Sequence, residues 1–153
     1  MRAEKTTEKS LRQRALDYLA KREYSYKELG QKLKAFADET DDIGALLDDF
    51  KARGWLSDAR FTEQIVHARQ AKFGASKVAH ELREKGVAEE LVADAIAKLK
   101  ENELENAREV WVRKFRVSPQ TREEWAKQAR FLQSRGFGFE TIKKLLDSKK
   151  SIE

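Results

Sequence analysis

With 153 residues, 40% of them hydrophobic and 39% charged, the chain can build a core only beneath a heavily solvated surface, as one or two ordinary domains or as several small repeats. It has no cysteine, which excludes disulfides and thiolate chemistry. No apolar run approaches the roughly 18 residues of a membrane span, and the charged stretch 1–9 lacks a signal peptide's apolar region, so a cytoplasmic protein without a membrane partner is expected. The net charge of +5 is uneven: residues 1–56 carry 12 Lys/Arg against 11 Asp/Glu, residues 57–101 carry 8 against 8, and residues 102–153 carry 12 against 8. The basic excess therefore lies in the last third, where it suits either a polyanionic partner or a solubilising surface.

Helix formers dominate, β-branched residues are sparse and Pro119 is the one proline, so the fold class is all-α. After a flexible start over 1–9, a first helix is expected from about Thr7 to Arg22, with Leu11, Ala15, Leu16 and Leu19 on one face. Ser25 and Glu28 make a capping box for a second helix bearing Tyr26, Leu29, Leu33 and Phe36. The acidic run Asp38 to Asp42 leads into a third, with Ile43, Leu46, Leu47 and Phe50. A fourth runs from Asp58 to Lys72 with Phe61, Ile65 and Ala68 inward, until Gly74 breaks it. Ser76 is placed to cap a fifth bearing Val78, Ala79 and Leu82, which Gly86 stops. A sixth carries Leu91, Val92, Ala95, Ile96 and Leu99. A seventh carries Leu104, Ala107, Val110 and Trp111 and ends near Phe115. Ser118-Pro119 is a turn, and Thr121 with Glu124 forms a second capping box. It opens an eighth helix with Trp125, Gln128, Ala129 and Leu132, stopped at Gly136. The ninth carries Phe139, Ile142, Leu145 and Leu146 before a frayed, lysine-rich end.

Apolar positions recur in register. Leu29 and Val78, Leu33 and Leu82, and Phe50 and Leu99 are each 49 residues apart, while Leu82 and Leu132, Ala95 and Leu145, and Ile96 and Leu146 are 50 apart. This is the signature of three tandem three-helix repeats, placed at 10–56, 57–101 and 102–153. Each is too small to bury a core alone, so an elongated, curved array of about nine helices is expected. The third departs in its first half, where Phe115 to Trp125 is longer.

The first two repeats meet at Gly54-Trp55-Leu56-Ser57-Asp58-Ala59-Arg60-Phe61. Gly54 suits a left-handed helix end, Trp55 and Leu56 pin the chain, Ser57 and Asp58 start the next helix, and Phe61 opens its apolar face. This joint, the first-repeat pattern running from Ala15 through Tyr18-Leu19-Ala20, Arg22, Ser25, Glu28-Leu29 and Lys32-Leu33, and the later Arg69, Phe73-Gly74, Glu81-Leu82, Lys85-Gly86 and Arg130-Phe131-Leu132…Arg135-Gly136-Phe137 resemble the RecX family over roughly Ser10 to Leu146. Thr62 departs from the small apolar residue expected there. The resemblance implies a modulator of the RecA recombinase that binds the RecA–single-stranded-DNA filament, blocks its growth or promotes its disassembly, and dampens strand exchange and the DNA-damage response. It also implies direct DNA binding, to single strands and, beyond them, to duplex.

The residues themselves offer little catalytic chemistry. His67 and His80 lie four residues from Glu63 and Glu84, but no His-Glu-x-x-His or cysteine cluster supplies a metal site, and no phosphate loop is present. Paired carboxylates such as Asp41-Asp42, Asp48-Asp49 and Glu89-Glu90 flank helix starts or exposed faces. No enzyme, cofactor or metal is expected. Binding is the better reading. Arg108, Arg113, Lys114 and Arg116, followed by Lys127, Arg130, Arg135, Lys143 and Lys144, are placed to neutralise phosphates, and an acidic protein would use the same residues. Trp111 and Phe115 lie on different helix faces and read as core rather than as a stacking platform. Arg69, Lys72, Lys77 and Arg83 form a second strip that a solvated helix face explains equally well. Trp55 and Phe61 are assigned to packing. A monomer suffices for such a task, and a stand-alone DNA-binding protein built on three-helix units is the rival reading.

Overall fold

The structure, a computed structural model, describes residues 8–151, with side chains through Asp147. The flexible start and frayed end expected from the sequence fall, for 1–7 and 152–153, outside the described residues. Among those described there are nine α-helices and no strand: α1 (Leu11–Lys21), α2 (Tyr26–Lys34), α3 (Ile43–Ala52), α4 (Asp58–Arg69), α5 (Ala75–Glu84), α6 (Glu89–Glu101), α7 (Glu103–Lys114), α8 (Arg122–Ser134) and α9 (Phe139–Ser151). None of them is long and apolar enough to cross a membrane. The chain forms two compact units, Met1–Phe61 and Thr62–Glu153, with the division falling inside α4.

In the first unit α1 and α3 both pack on α2. Their inward residues Ala15, Leu29, Leu33, Leu47 and Phe50 join Tyr24 and Leu56 in one buried cluster. The caps are local and readable. Ser10 Oγ accepts from the Gln13 amide at 3.0 Å, Ser25 Oγ from Glu28 at 3.0 Å, and Asp42 Oδ1 from Ala45 at 3.0 Å. The first helix therefore begins at Leu11 rather than Thr7, because Ser10 takes the cap. Glu28, only 7% exposed, carries its charge inward because Arg22 meets it with two bonds of 3.1 and 2.6 Å while stacking on Tyr24.

In the second unit α5 packs on α6, α6 meets α7, and α7, α8 and α9 pack on one another. Ala107, Val110, Trp111, Leu132, Phe137, Ile142, Leu145 and Leu146 form the core of the third repeat. Trp111 Nε1 donates to buried Gln128 at 2.7 Å, and Gln128 Nε2 donates to the Val117 carbonyl at 3.1 Å. A polar residue thus occupies the position held by Leu29 and Val78 in the other repeats. It is tolerated there because both its amide oxygen and its nitrogen are bonded. Thr62, the departure from the family pattern, is likewise buried.

Three helices end in the same way. Gly54, Gly86 and Gly136 have φ of 77°, 77° and 93°. After each, the next amide bonds back to the carbonyl five residues earlier: Trp55 to Phe50 at 2.9 Å, Val87 to Leu82 at 3.1 Å and Phe137 to Leu132 at 3.2 Å. This is the Schellman closure, and it brings the residue after the glycine back toward the helix's last inward residue. Val87 and Phe137 are buried. Trp55 is not: it stands 41% exposed with its ring edge on Phe50, and burial at this joint falls to Leu56 and Phe61.

Several inward assignments change. Phe36 is 46% exposed because α2 ends at Lys34, and the Arg14 guanidinium covers its ring at 4.0 Å. Leu104 and Phe139 are also exposed, each within the first turn of its helix. Ala68 is exposed, and α4 stops at Arg69 rather than Lys72. Ser76 is not a cap: α5 starts at Ala75 with Gly74 in the cap position. In the third repeat α8 starts at Arg122, three residues ahead of the position matching Ala75, which accounts for the longer spacing there. Arg116, at φ 63°, takes the left-handed position that follows the α7 cap at Phe115.

Glycine is required at these stops for different reasons. A methyl group on Gly54 meets nothing within 4 Å, whereas one on Gly136 would lie 2.6 Å from the Lys77 Cβ and 2.7 Å from its amide nitrogen. Gly54→Ala is expected to cost about 1–2 kcal/mol, the left-handed strain alone. Gly136→Ala should cost clearly more in urea denaturation, and equal losses would contradict the packing argument.

Candidate nucleic-acid interface

The loop between α4 and α5 meets the C-terminal end of α8. Gly74 and Gly136 approach so closely that a Cβ on Gly74 would lie 2.5 Å from the Gly136 oxygen. The Gly74 amide donates to the Arg135 carbonyl at 2.7 Å and the Ser76 amide to the Gly136 carbonyl at 3.3 Å. The unpaired N–H groups that open α5 therefore satisfy unpaired carbonyls that close α8, a favourable alignment of opposite helix ends. Lys77 adds a bond from Nζ to the Ser134 carbonyl at 3.0 Å.

Beside this seam is a cleft of about 330 Å³ lined by Ala71, Lys72, Val110, Arg113, Lys114, Phe131 and Arg135. Its lining holds four cations and no carboxylate. Arg135 lies over Phe73 at 5.6 Å and Phe131 at 4.9 Å, and Lys114 lies over Phe131 at 5.5 Å. Arg113 Nη1 donates to the Ala71 carbonyl at 3.2 Å and Arg135 Nη1 to the Lys72 carbonyl at 3.4 Å. Glu109 reaches Arg113 only at 3.9 Å, with both side chains more than half exposed. Arginines from α7 and from the end of α8 thus grip consecutive carbonyls of one loop, leaving further N–H groups of each fork for a ligand. Several like charges in one cleft make a local positive potential that attracts an anion.

The other sequence candidates are dispersed. Arg69 makes a two-point pair with Glu81, 2.8 and 2.9 Å, which raises the arginine's pKa. Arg83 pairs with Glu89 at 2.7 and 3.2 Å, raising its own pKa and holding the Glu89 carboxyl below the usual range. Arg108 bonds Glu105 at 2.7 Å. Lys127 and Arg130 line a separate shallow groove on α8 with Glu123 and Glu124. Arg116, Lys143 and Lys144 are exposed outside the cleft lining. The forked guanidinium makes Arg130 and Arg135 equal candidates in the sequence, but Arg130 lines the groove on α8 whereas Arg135 caps α8 and turns into the seam. Phe131 in the lining and Phe73 beneath Arg135 escaped sequence reading. Their signal was the Phe-Gly and Arg-Phe-Leu patterns, which read as family marks rather than as a surface for cations.

The joint residues turn back on the first unit. Asp58 Oδ1 accepts from the Tyr26 amide at 2.8 Å, and Arg60 bonds Glu23 at 2.9 Å and the Gly54 carbonyl at 2.7 Å. His67 and His80 are exposed, His80 standing 3.5 Å from Glu84. Among the described residues no group of three or more His, Cys, Asp or Glu is placed to hold a metal ion.

Comparison with known proteins identifies two of the three-helix units. A model of the second three-helix domain of RecX matches residues 57–96, and one of the third three-helix domain matches 101–146. Similar proteins include "Regulatory protein RecX" of Leptothrix cholodnii, 44% identical over 90% of this chain and 87% of that one. That of Herminiimonas arsenicoxydans is 42% identical over 94% and 95%, and that of Herbaspirillum seropedicae 45% identical over 88% and 87%. In fold, the crystal structure of RecX from Lactobacillus salivarius is similar at a TM-score of 0.72, with 21% identity over 92% of this chain and 95% of that one.

Two variants separate pairing from binding. Arg69→Ala should lower stability by about 1 kcal/mol through loss of the two-point pair with Glu81. Lys72→Gln with Lys114→Gln should leave stability within about 0.5 kcal/mol, since the Lys114 contact with the Phe131 ring at 5.5 Å is exposed and weak. The double variant should bind single-stranded DNA less tightly, with a log–log salt slope shallower by about 1–1.5. Thermal melts and anisotropy titrations at several salt concentrations check both, and an unchanged slope would remove the cleft from the interface.

Proposed function

This chain belongs to the RecX family of regulatory proteins, and from that premise we propose that it is a non-enzymatic regulator of the RecA recombinase. It binds the RecA–single-stranded-DNA filament and inhibits filament growth, ATP hydrolysis and strand exchange, thereby modulating recombination and DNA repair. The three repeats, 10–56, 57–101 and 102–153, act together in a monomer, without a cofactor.

The observation that supports the reading is the cleft at Lys72, Arg113, Lys114 and Arg135, whose lining carries four cations and no carboxylate. A filament wrapped on single-stranded DNA presents phosphates, and such a cleft suits them. The same cleft also favours a second reading, in which the protein binds DNA alone and affects the recombinase only by competition.

ATP hydrolysis by the cognate recombinase on single-stranded DNA distinguishes the two. Substoichiometric addition of this protein should progressively reduce hydrolysis, and excess single-stranded DNA should not restore it. Replacing Arg113 and Arg135 by Ala should weaken inhibition by about tenfold or more, the scale of losing about two charge-assisted phosphate contacts. Full recovery with excess DNA would favour the DNA-binding reading, and no inhibition by a folded protein would refute the regulator.

A further inference from the structure

We propose that the cleft between the α4–α5 loop and the third repeat is a phosphate-backbone site whose occupancy locks these two parts of the chain together. The proposal rests on the functional reading only for the identity of the polyanion, a single-stranded nucleic acid.

The cations come from both sides of the seam. Lys72 belongs to the α4–α5 loop, and Arg113, Lys114 and Arg135 belong to the third repeat. When the cleft is empty these like charges oppose the close approach that Gly74 and Gly136 make. The approach is held by backbone bonds and by the forks on the Ala71 and Lys72 carbonyls. A phosphate set among them turns repulsion across the seam into attraction. The arginines need not release the carbonyls, because each has further N–H groups to donate. A ligand that binds the closed seam better than the open one shifts the population toward closure.

The same geometry selects backbone over bases. Phe131 is the aromatic lining residue, and its ring is occupied by Lys114 and Arg135, with Phe115 on its edge at 5.4 Å. The aromatic ring of the cleft lining is already engaged by two cations, which compete with any base for it. The cleft therefore takes phosphate without regard to sequence.

The test is amide hydrogen exchange at Gly74 and Ser76, whose N–H groups cross the seam, on the full chain without recombinase. The probes are an oligothymidylate of about 15 nucleotides and inorganic triphosphate. Both should slow exchange at these two amides, by roughly fivefold at saturation, the scale of relieving a few partly exposed like-charge contacts. The Lys72→Gln, Lys114→Gln protein, which keeps both arginine forks, should lose the slowing. Oligothymidylate binding by anisotropy with exchange unchanged would overturn the lock. Slowing that persists in the double variant would place the anion elsewhere. Slowing by oligothymidylate but not by triphosphate would overturn phosphate-only recognition, and the reverse would overturn nucleic acid as the ligand. Because recombinase is absent, a failed ATPase assay leaves the exchange result standing, and failed exchange leaves the regulator reading standing.

Discussion

The contact on which the second unit depends is the approach of Gly74 to Gly136. Two backbones meet where neither residue has a side chain, and the amides that open one helix bond the carbonyls that close another. Both helix ends carry polar groups that a helix cannot satisfy for itself. Joining them end to end pairs the Gly74 and Ser76 amides with the Arg135 and Gly136 carbonyls, and the Lys77 ammonium takes up the Ser134 carbonyl beside them. The glycine geometry is also what brings Phe73, Arg135 and Lys77 into one neighbourhood, since a Cβ at either position would push the loop away from α8.

Much of the fold was legible because it rests on local signals. The 3.6-residue period, the Ser25 and Thr121 caps and the glycine stops each act within a turn of helix, and the internal repeat at 49–50 residues multiplied their weight. The errors share a cause as well. Phe36, Leu104 and Phe139 sit at helix ends, where period alone does not say whether a neighbour is there to cover them. Ser76 looked like a cap because serine commonly is one. In fact the first amides of α5 are satisfied by the chain around Gly136, a partner some 60 residues away that no local pattern announces.

The candidate site was legible in kind but not in membership. An excess of Lys and Arg in the last third pointed to an anion, but whether Arg69 and Arg83 were already engaged depended on partners at spacings other than three or four. Arg69 meets Glu81 and Arg83 meets Glu89 across turns, so both looked as available as Lys114. The cleft itself is assembled from three separate stretches, near 71, 113 and 133, and only folding sets them side by side. The first unit treats its cations differently again: Arg12, Arg14, Arg22 and Arg53 each lie over an aromatic ring.

The unequal burial of the three tryptophans makes the molecule its own optical probe. Trp55 stands two-fifths open to solvent in the first unit, and Trp111 is sealed in the core of the third repeat with its indole N–H on an amide. Trp125 lies between these extremes, bonded to Asp147 at 3.1 Å. Indole emission shifts to the red as the ring meets water. The blue side of the spectrum therefore belongs mainly to Trp111, and the red side to Trp55. Exposing the third repeat would move the blue component a long way, while unfolding the first unit would move the red component only slightly. A native protein without any attached dye thus carries separate colours for its two units.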